Sequence, residues 1–284
     1  MSFVPDPLLI LLGIVVGAYG TLIGAGGGFV LVPILLLRYP NESPQTITCI
    51  TLAVVFFNAL SGSYAYARMG RVDYRSAGLF CWSMVPAAIL GALTTSYVPR
   101  HLFDLAFAVL LIAVCIYLLW RPGPPAAADR PEPAASQRRF LVEADGTCHL
   151  YAFRRGRALW LGGVISYVSS LLGVGGGIFH VPALVRLFNF PVHVATATSH
   201  FVLAIISLAA TITHIASGQF QHGVRRTIAL SIGVVIGAQF GAKLSSRVRG
   251  DWIIRALAVA LGLVAIRVLI PRLDGLLPAS MIRR

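Results

Sequence analysis

Two glycine clusters are the parts of this sequence best suited to bind a small ligand through the backbone. Each lies inside a long apolar run; the first holds Gly24, Gly26, Gly27 and Gly28, and the second holds Gly173, Gly175, Gly176 and Gly177. Because each glycine costs a helix about 1 kcal/mol relative to alanine, the clusters predict helix breaks. A helix that restarts after a break points free N–H groups and its positive dipole end at the gap, which suits an anion.

Nucleotide-binding motifs do not fit these clusters. A dinucleotide fingerprint would need glycine at Phe29 and at Ile178, and a P-loop would need a Gly-Lys-Ser/Thr triplet that neither copy has. Close packing of helices through small residues stays open as an alternative, since Gly24 and Gly28 fit the G-x-x-x-G pattern. The clusters therefore predict either a cavity that accepts an anion or a tight helix contact.

Four polar side chains near the clusters could complete an anion site. Thr51 and Thr198 occupy corresponding positions of an internal repeat, and Ser199 follows directly. Their hydroxyl groups can donate hydrogen bonds to an anion without supplying a fixed charge. His180 lies just beyond the second cluster, where an imidazole could bind an oxyanion or carry a coupling proton. Hydrogen bonding to a neighbouring helix is the alternative for each of these side chains.

The other polar residues of the apolar runs do not form a catalytic or metal centre. His193, His200 and His214 fall along one helix face, but side chains seven residues apart are separated by about 10 Å and cannot share a metal ion. No C-x-x-C pair, serine–histidine–acid arrangement or acid pair can be assembled. We therefore predict no catalytic residue, no metal site, no cofactor and no enzymatic activity.

The composition is that of an integral membrane protein. Hydrophobic residues make up 57% of the 284 residues, charged residues only 12%, and the mean hydropathy is +0.81. Soluble domains carry about a quarter charged residues, and a bilayer-spanning helix needs about 20 apolar residues. Eight segments are long enough to cross or enter a bilayer: 8–37, 46–67, 76–97, 102–120, 158–187, 193–216, 224–246 and 252–270.

A polar stretch, residues 121–157, divides the chain. It holds five prolines among alanines and charged residues, and this composition predicts a flexible cytoplasmic linker without a core of its own. We predict a first four-helix repeat in residues 1–120, and a second four-helix repeat with the tail in residues 158–284.

The two halves resemble each other in sequence. Besides the glycine clusters, Pro44 to Thr51 aligns with Pro191 to Thr198, and Gly91-Ala92 aligns with Gly241-Ala242. Such a duplication predicts a repeated fold. The predicted fold is an all-α integral membrane protein with about eight transmembrane helices in two homologous four-helix repeats. The first helix of each repeat is broken at its glycine-rich segment.

The orientation follows from the distribution of arginine and lysine. If all eight segments span, one side collects more than twice as many of them as the other, and both termini and the linker are predicted to be cytoplasmic. If segments 8–37 and 158–187 were re-entrant hairpins instead, each half would cross three times and the repeats would be inverted. We expect eight spans in the cell membrane, which would be the inner membrane in a bacterium.

The net charge of +13 does not indicate a nucleic-acid partner. Nearly all the arginines sit in short polar gaps between apolar runs, where they set membrane topology and meet anionic lipid headgroups. The predicted partners are the lipid bilayer, a small anionic substrate and protons. The many faces of small residues are also compatible with a homodimer.

The doubled G-x-G-G-G-x-x-x-V-P motif resembles the TauE/SafE family of membrane proteins. In the second half a proline and then Ala195-Thr196-Ala197-Thr198-Ser199 follow the motif, as in that family. The first half reads Thr48-Cys49-Ile50-Thr51-Leu52 and lacks the serine. The resemblance covers both halves and implies secondary transport of sulfite or an organosulfonate.

The sequence thus predicts a secondary transporter, an exporter of a small anion driven by an ion gradient. No nucleotide-binding motif is present to supply energy from ATP. A passive anion channel could use the same broken helices. A membrane scaffold or assembly protein without transport is the other alternative, and there the glycines would be structural only.

Overall fold

The computed structural model describes residues 7–39, 41–120, 136–218, 223–245, 247 and 259. The first part of the chain forms α1 (Pro7–Ile23), α2 (Gly28–Arg38), α3 (Pro44–Arg68), α4 (Tyr74–Thr94) and α5 (Arg100–Trp120). Two strands follow, β1 (Ser136–Val142) and β2 (Cys148–Arg154), and then α6 (Arg155–Leu171), α7 (Gly177–Leu187), α8 (Val192–Ala216) and α9 (Val224–Ser245). The fold is mainly helical, as predicted, with one antiparallel β-hairpin that an all-α fold would not contain. The last apolar segment, 252–270, lies outside the described residues apart from residue 259.

Four of the described helices are long and apolar enough to cross a bilayer. They are α3, α4 with its 3-10 extension to Tyr97, α8 and α9. Local capping begins two of the helices of the first half, because the Ser43 hydroxyl accepts from Thr46 N at 3.2 Å and the Asp73 carboxylate accepts from Ser76 N at 3.0 Å. The protein is therefore a multi-pass membrane protein.

Both glycine clusters break the helical path. Gly27 precedes α2 with φ 79° and Gly176 precedes α7 with φ 96°, which is left-handed backbone that glycine adopts without strain. α1 and α6 each have 17 residues, and α2 and α7 each have 11. At 1.5 Å per residue an 11-residue helix is about 17 Å long, little more than half of a bilayer core of about 30 Å.

Helices α1, α3 and α9 run in the same direction through the bundle. Four contacts establish this direction: Ile10 lies beside Gly233, Ala18 beside Gly241, Ile50 beside Gly223, and Ser61 beside Val235. Residue numbers rise together along α1 and α9 and along α3 and α9, so the three helices begin at the same end.

Helix α2 returns to the end at which α1 begins. The Arg226 guanidinium, in the first turn of α9, lies 3.8 Å from the ring centre of Tyr39 and donates to Glu42 at 2.8 Å. Tyr39 caps the C-terminus of α2. Because α1 and α9 begin at one end, α1 and α2 form a re-entrant pair of helices. We name this end, with Glu42, Arg100 and Arg226, the Glu42 end.

The second pair, α6 and α7, enters from the opposite end. α6 runs parallel to α4, with Gly162 beside Met84 and Gly91 beside Tyr167. After α7 the chain reaches Phe190, whose ring centre is 4.3 Å from that of Tyr151 in β2. We name this end, which holds β1, β2 and Asp73, the β end.

The two re-entrant pairs therefore enter the described bundle from opposite ends, as expected for the re-entrant alternative that accompanied the prediction of eight spans. The expectation that the N-terminus and the linker share a side is wrong, because α1 begins at the Glu42 end and the hairpin lies at the β end. The count of arginine and lysine assumed that segment 8–37 crosses the membrane once. Because α2 turns back, the loops that follow it lie on the side opposite to the one assumed. The described residues do not include the C-terminus.

The second part of the predicted linker is folded. β1 and β2 pair in antiparallel register from Ser136 with Arg154 to Val142 with Cys148. Tyr151 and Phe153 are buried against Phe190, and the Ala144 amide donates to the Met69 carbonyl at 2.9 Å. The sequence predicted a flexible linker without a core of its own. Residues 136–154 instead form a hairpin, which packs on the bundle through alternate residues of β2.

The repeat has a register one residue different from the sequence alignment at α3 and α8. Both helices have 25 residues, but α3 begins at Pro44 whereas Pro191 precedes α8. Thr51, the eighth residue of α3, is therefore equivalent to Ser199 rather than to Thr198. The alignment had matched two prolines that occupy different positions, one inside its helix and one capping it.

Candidate functional site

The two glycine breaks pack directly against each other inside the bundle. A Cβ added at Gly28, the first residue of α2, would lie 2.5 Å from the Val174 carbonyl oxygen. A Cβ added at Gly177, the first residue of α7, would lie 2.5 Å from the Gly24 carbonyl oxygen. The first residue of α2 and the first residue of α7 therefore each pack against a backbone carbonyl group of the opposite break.

The backbone amides at these two helix starts have no hydrogen-bond partner among the described residues. They are the amides of Gly27, Gly28, Phe29, Gly176, Gly177 and Ile178. All six residues are buried or nearly so, and a helix leaves its first N–H groups free for an external acceptor. The carbonyl oxygens of Gly24 and Val174 lie where the positive ends of α2 and α7 would attract an anion.

Two apolar side chains cover both breaks. A Cβ added at Gly26 would contact Leu203 and would lie 3.0 Å from Val55 Cγ1. One added at Gly175 would lie 2.7 Å from the same Val55 atom and 3.0 Å from Leu203 Cδ1. Val55 and Leu203 are each the twelfth residue of their helices, so they are repeat equivalents.

The helix after each re-entrant pair lies against the break of the other half. A Cβ at Gly173 would lie 2.8 Å from Thr51 Oγ1, and a Cβ at Gly24 would lie 2.7 Å from Thr196 Cγ2. The Ser199 hydroxyl donates to the Gly24 carbonyl at 3.5 Å. Thr51 and Ser199 thus lie at opposite breaks, and the Thr51 hydroxyl donates to Ile47 O at 2.9 Å within its own helix.

A polar cluster surrounds the first break. The Thr21 hydroxyl lies 3.1 Å from Asn58 Oδ1 and 3.2 Å from His200 Nε2. The Tyr66 hydroxyl donates to the Thr21 carbonyl at 2.8 Å, and its ring meets the His200 ring edge-on at 5.8 Å. Asn58 Nδ2 and His200 Nδ1 are buried without a partner among the described residues. We call Thr21, Asn58, Tyr66 and His200 the histidine cluster.

The second break lacks this cluster. Ser170 is equivalent to Thr21, since its carbonyl accepts from the Gly173 amide at 3.2 Å as the Thr21 carbonyl accepts from the Gly24 amide at 3.0 Å. The neighbouring Ser169 lies beside Gly176, and its buried hydroxyl has no partner within the described part of the chain. Leu52 occupies the position equivalent to His200, Ile206 that of Asn58, and His214 that of Tyr66. The histidine and the asparagine beside the first break therefore have apolar counterparts in the other half.

Two of the predicted site residues point away from the breaks. The His180 ring packs edge-on to Phe80 with centroids 5.3 Å apart, within a group of aromatic rings at the start of α4 and the end of α7. Thr198 Oγ1 accepts from the Asp73 amide at 3.0 Å at the β end. Neither His180 nor Thr198 is among the nearest described neighbours of the glycines in the breaks.

Asp73 links Thr198 to the β-hairpin. Its carboxylate accepts from the Tyr151 hydroxyl at 2.7 Å and from the Ser76 hydroxyl, and Arg139 Nε lies 3.9 Å away. Burial, and then the hydrogen bond to Asp73 and its charge, raise the pKa of Tyr151, so the phenol keeps its proton and donates. The hairpin is thereby fixed to the start of α4.

A cavity of about 730 Å³ opens elsewhere, between α3, α8 and α9. Its wall is apolar apart from Thr211, Thr227 and Ser231, and none of the glycine-break residues lines it. It lies on the side of α3 and α8 that carries exposed apolar residues such as Phe57 and Ile212. Such a surface suits acyl chains better than an anion.

The sequence singled out the glycines, Thr51 and Ser199 but did not select Thr21, Asn58 or His200 as site residues. A signal was available in the repeat. With α3 and α8 aligned from their first residues, His200 and Asn58 are the polar members of pairs whose partners, Leu52 and Ile206, are apolar. Polar residues that persist in a spanning helix without a repeat counterpart are candidates for a function.

Comparison with known proteins supports a transporter. Residues 9–268 match the family model described as sulfite exporter TauE/SafE. The chain is 30% identical over 273 residues to the "Probable membrane transporter protein YunE" of Bacillus subtilis, covering 93% of this chain and 96% of that protein. It is 23% identical over 276 residues to a protein from Methanocaldococcus jannaschii that is also described as a probable membrane transporter, covering 93% and 95%. No solved structure matches the chain.

Proposed function

The chain belongs to the sulfite exporter TauE/SafE family, and from this premise we propose that it is a secondary transporter that exports a small anion, such as sulfite or an organosulfonate, using an ion gradient. The observation that carries the proposal is the meeting of two helix starts at the glycine breaks. Their buried amides have no partner among the described residues. Two positive helix ends that converge within a membrane bundle suit an anion.

The proposed binding site lies between Gly24–Gly28 and Gly173–Gly177, with Thr51 and Ser199 beside it. An anion would replace the carbonyl oxygens of Gly24 and Val174 at the helix starts. Because Val55 and Leu203 cover both breaks, the structure corresponds in this proposal to a closed state. Movement of one re-entrant pair relative to the other would open the site to one end at a time.

The β end is proposed to face the cytoplasm. Basic residues of the described chain that lie toward this end are Arg68, Arg71, Arg75, Arg138, Arg139, Arg154, Arg155, Arg157, Arg186, Lys243 and Arg247. The Glu42 end has fewer: Arg38, Arg100, Arg225 and Arg226. Cytoplasmic loops are enriched in arginine and lysine, so this assignment keeps the linker cytoplasmic and places the N-terminus outside.

The experiment that tests the proposal measures flux of radiolabelled sulfite and methanesulfonate in proteoliposomes. Wild type is compared with Gly28→Ala and Gly177→Ala, each of which places a methyl group against a backbone carbonyl. We expect saturable flux in wild type and at least about a tenfold loss in both variants, equal to about 1.4 kcal/mol of barrier.

Gly78→Ala is the matched control, because a Cβ there meets no atom within 4 Å. This variant should keep wild-type flux. All variants are checked for monodisperse elution and an unchanged unfolding midpoint before flux is interpreted. Flux that does not saturate and ignores an imposed ion gradient would favour the passive channel. A folded wild type that moves none of the tested anions would contradict the proposed substrates and favour the scaffold.

A further inference from the structure

His200 is the ionisable side chain that the structure places beside the first glycine break. It is fully buried in α8 and packs closely against Gly62, where an added Cβ would be 2.5 Å from His200 Cδ2. The edge that carries Nε2 faces Thr21. The inference developed from this geometry rests on the proposed function and concerns the same site.

The hydrogen bonds of Thr21 indicate where the histidine proton lies. The threonine hydroxyl has one hydrogen, and Asn58 Oδ1 accepts it at 3.1 Å. Nε2, 3.2 Å from the same oxygen, then carries its own hydrogen and donates to Thr21 Oγ1. This tautomer leaves a free lone pair on Nδ1, which is buried and has no partner among the described residues.

His200 follows Ser199, whose hydroxyl donates to the Gly24 carbonyl at 3.5 Å. That carbonyl oxygen packs against Gly177, the first residue of α7. A proton on Nδ1 would place a positive charge beside this break. An anion that displaced the Gly24 carbonyl would bind the Gly177 and Ile178 amides, which have no partner in the described residues.

No charged side chain of the histidine cluster can neutralise a protonated His200. The facing groups are the Thr21 hydroxyl and Gly24 carbonyl from α1 and its break, and Asn58 and Tyr66 from α3. Tyr66 is the titratable member of this set. The Arg71 guanidinium interacts electrostatically with Tyr66, but it forms an ion pair with Glu143 at the β end. A buried imidazolium is costly unless an opposite charge lies nearby.

We propose that one proton on His200 Nδ1 and one anion on the Gly177 and Ile178 amides bind together and cross the membrane in the same direction. The proton is taken from water at one end, forms an N–H bond to Nδ1, and returns to water at the other end. Each charge stabilises the other in the buried site, so neither is carried efficiently alone. Transport of a monoanion with one proton is then electroneutral, and a proton gradient directed outward, with the inside acidic, drives the export.

The test uses methanesulfonate, which keeps one negative charge across the pH range, so any pH dependence belongs to the protein. Efflux of the labelled anion and of protons, reported by an enclosed pH-sensitive dye, is measured with the membrane potential clamped. For wild type we expect the flux to rise about tenfold between about pH 7.5 and about pH 5.5, with protons leaving together with the anion.

His200→Gln keeps a hydrogen-bonding side chain but cannot titrate. This variant should lose proton movement and the rise in flux at low pH while it keeps a measurable, pH-independent flux. The matched control is His214→Gln, in the same helix and equally buried, which should behave as wild type. Wild-type proton movement and pH dependence in His200→Gln would overturn the inference, as would anion flux without proton movement in wild type.

A second measurement keeps the inference testable if no anion is transported or if His200→Gln does not fold. Nitrogen-15 spectra of histidine-labelled protein in nanodiscs are recorded at several pH values, with and without methanesulfonate. The His200 signals are assigned by selective labelling. Anion-dependent protonation of Nδ1 would support the inference, whereas an imidazole that stays neutral under both conditions would overturn it. Absence of flux with protonation retained would instead contradict the proposed function alone.

Discussion

The first and second glycine breaks have the same backbone path but different side chains around it. Both follow a 17-residue helix, both are capped by a left-handed glycine, and both begin an 11-residue helix. The first break is bordered by the histidine cluster of Thr21, Asn58, Tyr66 and His200, whereas the equivalent positions of the other half hold Ser170, Ile206, His214 and Leu52. Repeated backbone geometry supplies two helix starts, and the divergence of side chains places His200 beside the first break and Leu52 at its counterpart.

This difference has a physical advantage for coupled transport. An imidazole at both equivalent positions would bury two positive charges in one closed space, and like charges in a low-dielectric interior repel strongly. Because Leu52 stands at the second of these positions, His200 with its one proton matches a single monoanion.

The largest expected effect comes from making the first break resemble the second. Asn58→Ile combined with His200→Leu introduces the residues that the repeat already holds at the equivalent positions. We expect a loss of anion flux of about a hundredfold, equal to about 2.7 kcal/mol of barrier, because the donors of the histidine cluster are removed. Proteoliposome flux measures the loss.

The double change leaves the buried Thr21 hydroxyl without its two side-chain partners, so a loss of about 1–3 kcal/mol of stability is expected. Monodisperse elution and a cooperative thermal unfolding transition serve as the control. Unchanged flux in a folded double variant would show that the two breaks do not differ in function.

A smaller effect separates Thr21, beside the first break, from Ser169, a buried residue of α6 beside the second break. Thr21→Ala removes the hydroxyl that connects Asn58 to His200 and should lower the free energy of unfolding by about 1–3 kcal/mol, because buried polar atoms lose their partner. Ser169→Ala removes a hydroxyl that has no partner in the described chain, so it should leave stability unchanged or slightly raised. Denaturant unfolding in detergent compares the two, and equal losses would contradict the asymmetry.

Two further changes lie at the outer ends of the two re-entrant pairs, and the second of them, Arg226→Gln, has the smallest expected effect. Tyr151→Phe removes a buried hydrogen bond to the Asp73 carboxylate near the end of α7 and should cost about 1.5–3 kcal/mol at most. Arg226→Gln breaks a half-exposed ion pair with Glu42 near the end of α2 and should cost less than about 1 kcal/mol. Thermal unfolding measures both, and a greater loss from Arg226→Gln would reverse this order.

Much of the candidate site could be predicted from the sequence because glycine carries a local signal. Three glycines in a helix are unfavourable wherever they occur, so Gly24–Gly28 and Gly173–Gly177 identify the breaks without tertiary information. His180 was selected for its place in the chain, but a helix turns about 100° per residue, and its ring faces Phe80 instead of the break. His200 lies far along the chain from Thr21, so their contact could not be inferred from spacing.

The sequence by itself determined the apolar segments, the duplication, the two breaks and the family, because composition, periodicity and glycine placement act locally. Tertiary structure decided that α2 and α7 turn back, since the direction of a chain after a break depends on its φ angles and on the helices that receive it. It also decided the one-residue shift between α3 and α8, the folding of residues 136–154 against Phe190, and the single histidine cluster. Each of these depends on contacts between residues distant in the chain, and no local pattern specifies which partner a buried side chain meets.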